Sequence, residues 1–274
     1  MANKTGLYIS GNRSGKYGIG RWSDKTLILA QDYENIYRTG KDNDFFVLVK
    51  AGKIGLSKAT RNEGETAYSL EVITPCENNS IECGGSNTLL LNHKKGTRYY
   101  NIRENKLSDF YKSVFTLPLS HYIQAQAEDM FYLIDKETDE VIYQQEHSYK
   151  SNPIYLREIG KTKDGNAVFR EWGSPPNALL YKNESGYKFL DGYVVLETMS
   201  HKGVNLANIV DGKDGIGLVD GNGNFLSDVD FDRVETEYKI KLTKNGESVE
   251  QVISSVKHNS LRWFDSVIAG MELN

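Results

Sequence analysis

A glycine-rich phrase occurs twice in this chain, once near each end. It reads GKYGIG at Gly15–Gly20 and GKDGIG at Gly212–Gly217. Each copy joins two short segments in which apolar and polar residues alternate, and this pattern predicts a strand, a turn and a second strand. Because self-similarity arises when one structural unit is repeated along a chain, this feature constrains the fold more than any single residue does.

Four weaker copies of the strand–turn–strand pattern lie between these two. The six turns fall at Gly15, Gly52, Gly96, Thr138, Ser174 and Gly212. Their mean spacing of roughly 39 residues is typical of propeller blades and is too long for one rung of a β-helix. Each unit has room for four strands of about five residues, as a blade needs. The sequence therefore predicts an all-β repeat protein of about six β-propeller-like units. The alternative is an open β-solenoid of hairpins, which needs no closure between the chain ends.

The two best copies also share an aromatic strand downstream of the turn, at Tyr33 and Phe231. With that strand, they resemble the bacterial WG-repeat (KWG) family, whose pattern is Gly-x-aromatic-Gly-aliphatic-x-Asp, then Gly-x-x-aliphatic, then aromatic-acid-x-aliphatic. The matching residues are Gly15, Tyr17, Gly18, Ile19, Tyr33, Glu34, Ile36, Gly215, Ile216, Val219, Asp220, Gly223, Phe231, Asp232 and Val234. The copies depart from the family in lacking its Trp-Gly pair in register, since Trp172-Gly173 lies in a turn. The resemblance covers about half of the chain and implies an interaction or recognition module, without catalytic residues common to the family.

Composition indicates one repeat domain followed by a different C-terminal segment. The chain has 274 residues with 5 prolines, and no linker rich in Ser, Gly or Pro interrupts it. We therefore expect a single β-repeat domain over 1–235. Beyond it, an Asn-Gly turn at Lys244–Glu247 predicts a hairpin, and Leu261–Ile268 is an apolar stretch. We expect residues 236–274 to pack onto the repeats as a hairpin and a closing segment.

Charge and targeting signals favour a cytoplasmic protein that binds neither nucleic acid nor membrane. The net charge is −4 and the pI about 5.8, without the basic stripe of a nucleic-acid-binding surface. No apolar run is long enough for a secretory signal or a membrane span. Cys76 and Cys83 are two cysteines in a long chain, which indicates reduced thiols; a small disulfide between them is the alternative. The expected location is the cytoplasm, or a virion if the chain comes from a phage.

No catalytic, cofactor-binding or metal-binding residues are predicted. The sequence has 5 histidines without metal-ligand spacing, and it contains no nucleophile elbow, phosphate loop or dinucleotide fingerprint. An oxygen-rich loop at Asp220–Asn224 has the alternating ligands that calcium uses. However, Phe225 and Phe231 stand where a calcium loop needs glycine and a bidentate acid. The loop is therefore predicted to be a turn.

Pairs of adjacent aromatic residues are candidates for a surface that binds a partner; the alternative is that they fill strands and that a neighbouring blade covers the second ring of each pair. The pairs are Tyr99-Tyr100, Phe110-Tyr111, Phe131-Tyr132 and Trp263-Phe264. Because neighbouring residues of a strand point to opposite faces, each pair is expected to place one ring in the core and one outside. The predicted interaction surface consists of Tyr100, Tyr111, Tyr132, Trp172 and Trp263.

These features predict a non-catalytic protein-binding repeat module whose partner is another protein. Within that class the sequence leaves open a scaffold, an immunity or inhibitor protein, and a structural component of a phage. Rigid repeats with variable turns are suited to recognition. The alternative is a carbohydrate-active hydrolase or lyase with carboxylates gathered at a propeller axis. Its nominal acids are Glu71, Glu82, Asp109 and Asp129.

Overall fold

The computed structural model describes residues 6–39, 44–61, 67–85, 87–117, 120–147, 154–172, 178–235, 239–244 and 247–252. Within these ranges the chain forms twenty-five β-strands and no helix. The predicted all-β class is therefore confirmed. No helix long and apolar enough to cross a membrane occurs among the residues described.

The chain divides into two compact units. The first contains Met1–Met130, Ile134–Glu140 and His147–Tyr149, and the second contains Phe131–Leu133, Val141–Glu146 and Lys150–Asn274. The strands before residue 147 are β1 (Leu7–Gly11), β2 (Tyr17–Arg21), β3 (Leu27–Tyr33), β4 (Asn35–Thr39), β5 (Phe45–Lys50), β6 (Lys53–Thr60), β7 (Ser69–Asn78), β8 (Ser80–Cys83), β9 (Thr88–His93), β10 (Gly96–Asn101), β11 (Lys106–Leu107), β12 (Ser113–Thr116), β13 (Tyr122–Gln126), β14 (Met130–Asp135) and β15 (Val141–Glu146). The strands after it are β16 (Leu156–Lys161), β17 (Ala167–Glu171), β18 (Leu179–Asn183), β19 (Gly186–Phe189), β20 (Val194–His201), β21 (Val204–Asp211), β22 (Ile216–Val219), β23 (Arg233–Glu235), β24 (Lys239–Lys244) and β25 (Glu247–Val252).

These strands form successive antiparallel meanders. Four meanders have four strands each, in the orders β4-β5-β6-β7, β8-β9-β10-β11, β12-β13-β14-β15 and β16-β17-β18-β19. Three have three strands each: β1-β2-β3, β20-β21-β22 and β23-β24-β25. One parallel residue pair, Lys161 with Val204, joins β16 to β21. Four-stranded antiparallel meanders are the sheets from which propellers are built, so the predicted propeller-like class is confirmed at the level of its sheets.

Five of the six predicted turns join two paired strands, in the hairpins β1-β2, β5-β6, β9-β10, β14-β15 and β21-β22. The predicted turn at Ser174 lies outside the described residues, although β17 and β18 on either side of it are paired. The strands β24 and β25 are also paired, and the two residues between them, Asn245 and Gly246 of the predicted turn, lie outside the described residues. Their sheet includes β23, which ends at Glu235, so this sheet begins before the boundary predicted at that residue. Leu261–Ile268 lies outside the described residues, and the packing of 236–274 onto the repeats stays a prediction.

The downstream aromatic residues occupy the same position in both copies of the phrase. Tyr17 pairs with Tyr33 in the first copy, and Ile216 forms a bridge with Phe231 in the last. The predicted correspondence of Tyr33 and Phe231 is therefore confirmed, and it places Tyr17 at the position of Ile216. Alignment of the two glycine phrases by their letters pairs Tyr17 with Asp214 instead. The structural alignment of the two copies therefore differs from the sequence alignment by two residues.

In this structural alignment, the second strand of each hairpin has a glycine at the point where the backbone of the following strand comes closest. Gly18 corresponds to Gly217, and Gly55 occupies the same place in the second hairpin. A Cβ on Gly18 would lie 2.4 Å from a backbone carbonyl oxygen of β3. One on Gly217 would lie 2.7 Å from the carbonyl oxygen of Asp228, and one on Gly55 would lie 2.9 Å from a backbone nitrogen of β7. The repeated glycine therefore reflects close approach of two backbones at this position.

Neighbouring sheets bury their apolar faces against each other. In the first unit, sheet β1–β3 packs on sheet β4–β7 through Leu7, Ile19, Ile36, Phe46, Leu48 and Ala59. Sheet β4–β7 packs on sheet β8–β11 through Phe45, Leu56, Leu91 and Tyr100. In the second unit, meander β16–β19 packs on meander β20–β22, to which β16 is joined through β21, and the shared core consists of Val168, Leu179, Tyr181, Leu190, Val195, Val210 and Val219. An inner sheet is thus covered on both faces, as stacking of repeats requires.

The expectation of one buried and one outward ring is wrong at Tyr99-Tyr100. The two tyrosines are 4% and 2% exposed. Tyr100 packs against the ring of Phe45, with centroids 6.0 Å apart, and Tyr99 stacks on Tyr111, with centroids 6.4 Å apart. The alternation of side chains is present, but both faces of this sheet are covered by neighbouring structure.

Cys76 and Cys83 are not joined by a disulfide, and their reduced state stays a prediction. Cys76 is half-buried, and its thiol donates to the carbonyl oxygen of Leu48 at 3.3 Å. Its burial raises the pKa of the thiol. Cys83 is exposed, so it is the thiol that solvent reaches first.

Candidate binding cleft

A cleft of about 680 Å³ lies in the second unit between β16, the end of β17 and β20. Its walls combine apolar, cationic and acidic side chains. The charged and large apolar residues of its lining are Arg157, Glu158, Ile159, Arg170, Trp172, Leu196 and Glu197. A concave site of this volume is within the usual range of ligand sites, and its lining is about as polar as it is apolar. We therefore take it as the candidate functional site.

The cleft exists because β16 meets the β20-β21 hairpin at one point. Lys161 pairs with Val204, and its backbone nitrogen donates to the carbonyl oxygen of Gly203 at 2.8 Å. Gly160 permits this crossing, since its φ is +141° and a Cβ there would lie 2.9 Å from the backbone nitrogen of Asn205. The parallel ladder contains this single residue pair, so the rest of β16 stands apart from β20 and the cleft opens between them.

Trp172 follows β17 directly and lines the cleft. Its backbone nitrogen donates to the carbonyl oxygen of Tyr155 at 2.6 Å, which fixes the chain at this point. The side chain is nevertheless 63% exposed. Leu196, on β20, is 48% exposed in the same cleft. Large apolar side chains that remain exposed in a concavity mark contact sites for a partner.

Two arginines stand opposite each other on the β16-β17 ladder. Arg157 and Arg170 are partners in the register, so their side chains leave the sheet on the same face. Arg157 is exposed and Arg170 is half-buried. Within the described ranges neither guanidinium forms an ion pair, and Arg157 lies 5.7 Å from the centroid of the Trp172 ring instead. The free cleft therefore holds two guanidiniums that form no ion pair with a described residue, beside an exposed indole.

A buried amide pair supports the β20 wall of the cleft. Asn205 and Asn208 exchange two hydrogen bonds of 3.0 Å between their side chains, and they are 5% and 0% exposed. Thr198, which lines the cleft, donates from its hydroxyl to Oδ1 of Asn208 at 3.2 Å. The amide nitrogen of Asn208 also reaches the carbonyl oxygen of Val219 at 3.4 Å. Because buried polar groups that pair with each other specify one arrangement, this network holds the wall in place.

The five aromatic residues predicted to form one interaction surface have different environments. Trp172 lies in the cleft. Tyr100 requires a correction: it is 2% exposed, its hydroxyl donates a 2.5 Å hydrogen bond to an asparagine in the following turn, and burial raises its pKa to about 12. It is a core residue, because a second sheet covers its face. Tyr111 and Tyr132 are half-buried, and Trp263 lies outside the described residues.

Tyr111 makes internal contacts. It forms two backbone hydrogen bonds with Thr97, of 2.8 and 2.9 Å, and its ring stacks on Tyr99. Tyr33 and Phe231 pair in the same antiparallel way with the second strand of the hairpin in their own repeats. Tyr111 therefore occupies the aromatic position of the third repeat, which accounts for an aromatic residue there without a partner protein.

Arg157, Arg170 and Leu196 are cleft residues that the sequence prediction missed. The dipeptide Asp164-Gly165 marks the turn between β16 and β17 and was the available signal. If the β16-β17 ladder were regular from that turn onward, Arg170 would pair with Glu158, and the two opposite charges would attract each other. A bulge in β16 moves Arg170 opposite Arg157 instead. Such a bulge is invisible in the alternation of the sequence, so the like-charge pair could be found only in the structure.

The oxygen-rich loop at Asp220–Asn224 is closed by its own hydrogen bonds. Oδ1 of Asp220 accepts from the backbone nitrogens of Asn222 and Asn224, both at 2.8 Å, and Oδ2 accepts from the Asn224 amide at 3.0 Å. Gly223 has a φ of +78° and lies against the ring of Tyr181. The carboxylate of Asp220, which would be the first ligand of a calcium site, thus accepts the hydrogen bonds that close the turn. Among the described residues no group of three or more His, Cys, Asp or Glu side chains is placed to hold a metal ion.

No model of a known protein family matches this sequence, and no curated protein matches it either. Among solved structures, the chain is similar to the WD40 domain of SCAP from fission yeast, with 11% identity, a TM-score of 0.30, and 64% of this chain and 52% of that chain covered. It is similar to a eukaryotic initiation factor, with 9% identity, a TM-score of 0.30, and coverage of 92% and 86%. A third is a Chaetomium thermophilum protein bound to the N-terminus of a ribosomal protein, with 11% identity, a TM-score of 0.29, and coverage of 80% and 69%. At these scores the likenesses assign no function to the chain.

Proposed function

We propose that the chain is a non-catalytic binding module whose cleft holds a segment of another protein. One observation carries this proposal: Trp172 is 63% exposed in a cleft that it shares with Arg157 and Arg170, two arginines without an ion pair in the described ranges. Tryptophan and arginine are the residue types that most often dominate binding energy at protein interfaces. Apart from the contact between Arg157 and the Trp172 ring, no ion pair or side-chain hydrogen bond with a described residue accounts for the placement of these three side chains.

The size of the cleft favours a chain segment as the occupant. Its volume of about 680 Å³ lies within the range of sites that enclose a ligand or a few side chains, roughly 300–1,000 Å³. The walls are strands rather than long loops, so the site is already formed in the free protein. A partner is expected to insert an exposed peptide into the cleft while the rest of its surface stays outside.

The biological setting is proposed from the sequence. A cytoplasmic scaffold, an immunity or inhibitor protein, and a phage structural component all use a rigid repeat to hold a partner. Membership of the WG-repeat family stays a prediction, as does the cytoplasmic location. In each of these settings the same cleft would make the contact, so one experiment addresses all three.

The proposal is tested by comparing two exposed tryptophans. A tagged chain is purified from its native source as the wild type, as Trp172→Ala and as Trp22→Ala; Trp22 is 53% exposed in the first unit and serves as the control. The partner, identified by mass spectrometry, is expected to accompany the wild type and Trp22→Ala and to be lost from Trp172→Ala. A partner that remains bound to Trp172→Ala with unchanged affinity would show that the cleft is not its site.

A hydrolase acting on carbohydrate is the second candidate, and one observation favours it. Glu158 and Glu197 both line the cleft together with Trp172, and glycosidases use two carboxylates around a bound sugar. None of the acids named from the sequence for this function is among the lining residues. Release of reducing ends from a panel of polysaccharides, abolished in both Glu158→Gln and Glu197→Gln, would support this function and displace the binding module.

A further inference from the structure

We infer, resting on the function proposed above, that the cleft selects an extended peptide in which acidic and apolar side chains alternate. Arg157 and Arg170 are its specificity residues, and Trp172 and Leu196 hold the apolar side chains. The occupant is thus a segment of a partner protein with moderate negative charge.

The arginine pair is a binding element because the free protein holds two like charges together. The β16-β17 ladder places Arg157 directly opposite Arg170, and like charges at such positions destabilise a sheet. Neither charge is neutralised by an ion pair in the part of the chain that is described. A carboxylate that accepts hydrogen bonds from both guanidiniums removes the repulsion and forms charge-assisted hydrogen bonds, which are the stronger kind.

The apolar groups of the cleft favour a peptide over a small anion. Leu196 and Trp172 are 48% and 63% exposed, and Ile159 lines the cleft with them. In an extended peptide, adjacent side chains point to opposite faces. Alternation therefore directs the acidic side chains toward the arginines of β16 and β17, while the apolar side chains face Leu196 on β20. A phosphate ion would leave that apolar surface uncovered.

Two acidic residues of the cleft limit how much negative charge the occupant carries. Glu158 and Glu197 line the cleft, and the whole chain has a net charge of −4. A uniformly acidic polymer, such as a nucleic acid, would be repelled by both. A peptide whose carboxylates are separated by apolar residues places charge at the arginines and keeps it away from the two glutamates.

Three fluorescein-labelled octapeptides test the inference with the full-length protein. Leucine alternates with glutamate in the first, with glutamine in the second and with lysine in the third. By fluorescence anisotropy we expect the glutamate peptide to bind about tenfold more tightly than the glutamine peptide, because a carboxylate adds the attraction of opposite charges to the hydrogen bond that a neutral amide also accepts from arginine. The lysine peptide is expected to show no saturable binding.

Variants of the protein separate specificity from folding. Arg157→Gln and Arg170→Gln are expected to weaken binding of the glutamate peptide more than binding of the glutamine peptide, so that the difference in affinity between the two peptides decreases. Arg170→Gln should also raise the Tm of the free protein, because it removes the repulsion; an arginine with a structural role would lower it. Lys182→Gln, an exposed lysine on β18, is the charge-matched control and should bind as the wild type does.

Each contrary outcome has a distinct meaning. Equal affinity for the glutamate and glutamine peptides would contradict the inferred preference for acidic side chains. It would not contradict the proposed function as a binding module. Unchanged binding of both peptides to Trp172→Ala would show that the cleft is not the site, which contradicts the proposed function itself. Absence of saturable binding by all three peptides would overturn the inference. Displacement of the glutamate peptide by an equal charge concentration of inorganic phosphate or oligothymidine would show a general anion site instead.

Discussion

The two units use their arginines differently. In the first unit the side chain of Arg98 is 12% exposed, and its guanidinium donates to the Thr74 hydroxyl at 2.6 Å and to Glu77 at 3.1 Å. In the second unit Arg157 and Arg170 face each other in the cleft, and no ion pair forms at either within the described ranges. The first arginine is held by the fold, whereas the fold does not account for the other two.

A second arginine of the first unit, Arg38, is also held by internal contacts. Arg38 donates to the carbonyl oxygen of Leu7 at 2.6 Å, and its guanidinium lies 4.9 Å from the centroid of the Phe46 ring. Hydrogen bonds of a charged donor inside a protein stabilise the fold, and losing one partner leaves the other unsatisfied. Internal bonding therefore distinguishes structural arginines from those available to a partner.

The largest expected effect is loss of stability on Arg98→Leu. This change removes the hydrogen bond of 2.6 Å to the buried Thr74 hydroxyl and the ion pair with Glu77. We expect the free energy of unfolding to fall by about 2–3 kcal/mol. Urea denaturation of the variant and of Arg170→Leu, as the matched change in the cleft, measures the difference. Equal destabilisation by the two changes would break the distinction between the two kinds of arginine.

A smaller effect concerns Tyr100 in the core of the first unit. Burial raises its pKa to about 12, from about 10 in the unfolded chain. As pH rises above 10, the unfolded state loses the proton first, so the stability present below pH 10 is lost as pH approaches 12. The loss is roughly 1–2 kcal/mol. Burial raises the pKa of Tyr143 to about 12 as well, so Tyr100→Phe removes part of the decline.

Denaturation midpoints between pH 9 and pH 12 measure this effect in the wild type and in Tyr100→Phe. Arg170→Leu, which changes a partly solvated site, should keep the wild-type slope. A slope in Tyr100→Phe as steep as that of the wild type would contradict burial of this hydroxyl.

The smallest expected effect separates the two exposed tryptophans. The ring of Trp22 lies 4.5 Å from that of Tyr8, and Nζ of Lys25 lies 4.1 Å from its centroid. Trp22→Ala should therefore cost about 1 kcal/mol of stability. Trp172→Ala should stay within about 0.5 kcal/mol of the wild type, because its exposed ring supports little of the fold. Thermal denaturation of both variants checks this, and a larger loss at Trp172 would give that residue a structural role.

The hairpins of this fold could be predicted from the sequence, but their register could not. Gly52 and Gly96 mark turns that the structure contains, because turn residues and alternation are local properties of the chain. The match of Tyr17 to Asp214 is wrong by two residues. The turn between β1 and β2 contains one residue more than the turn between β21 and β22. The similarity of the two glycine phrases gives no sign of this difference in length. Register depends on turn length, which the sequence pattern does not reveal.

The candidate site was predictable only in part. Trp172 could be named as an aromatic residue in a turn, and it lies in the cleft. Tyr100 could not be recognised as a core residue, because alternation gives the face of a side chain and not what covers that face. The opposition of Arg157 and Arg170 depends on a bulge in β16. Contacts created by bulges and by neighbouring sheets arise from tertiary structure, which short-range patterns do not encode.

Tryptophan fluorescence tests the central claim, that the cleft around Trp172 is the binding site. The chain has 3 tryptophans, so Trp22→Phe with Trp263→Phe leaves Trp172 alone, and Trp172→Phe with Trp263→Phe leaves Trp22 alone. On addition of the leucine–glutamate octapeptide, the emission of the protein with Trp172 alone should shift to the blue as its exposed ring is covered. The emission of the protein with Trp22 alone should not change. Saturable binding that leaves the Trp172 emission unchanged, or that shifts the Trp22 emission instead, would contradict the account.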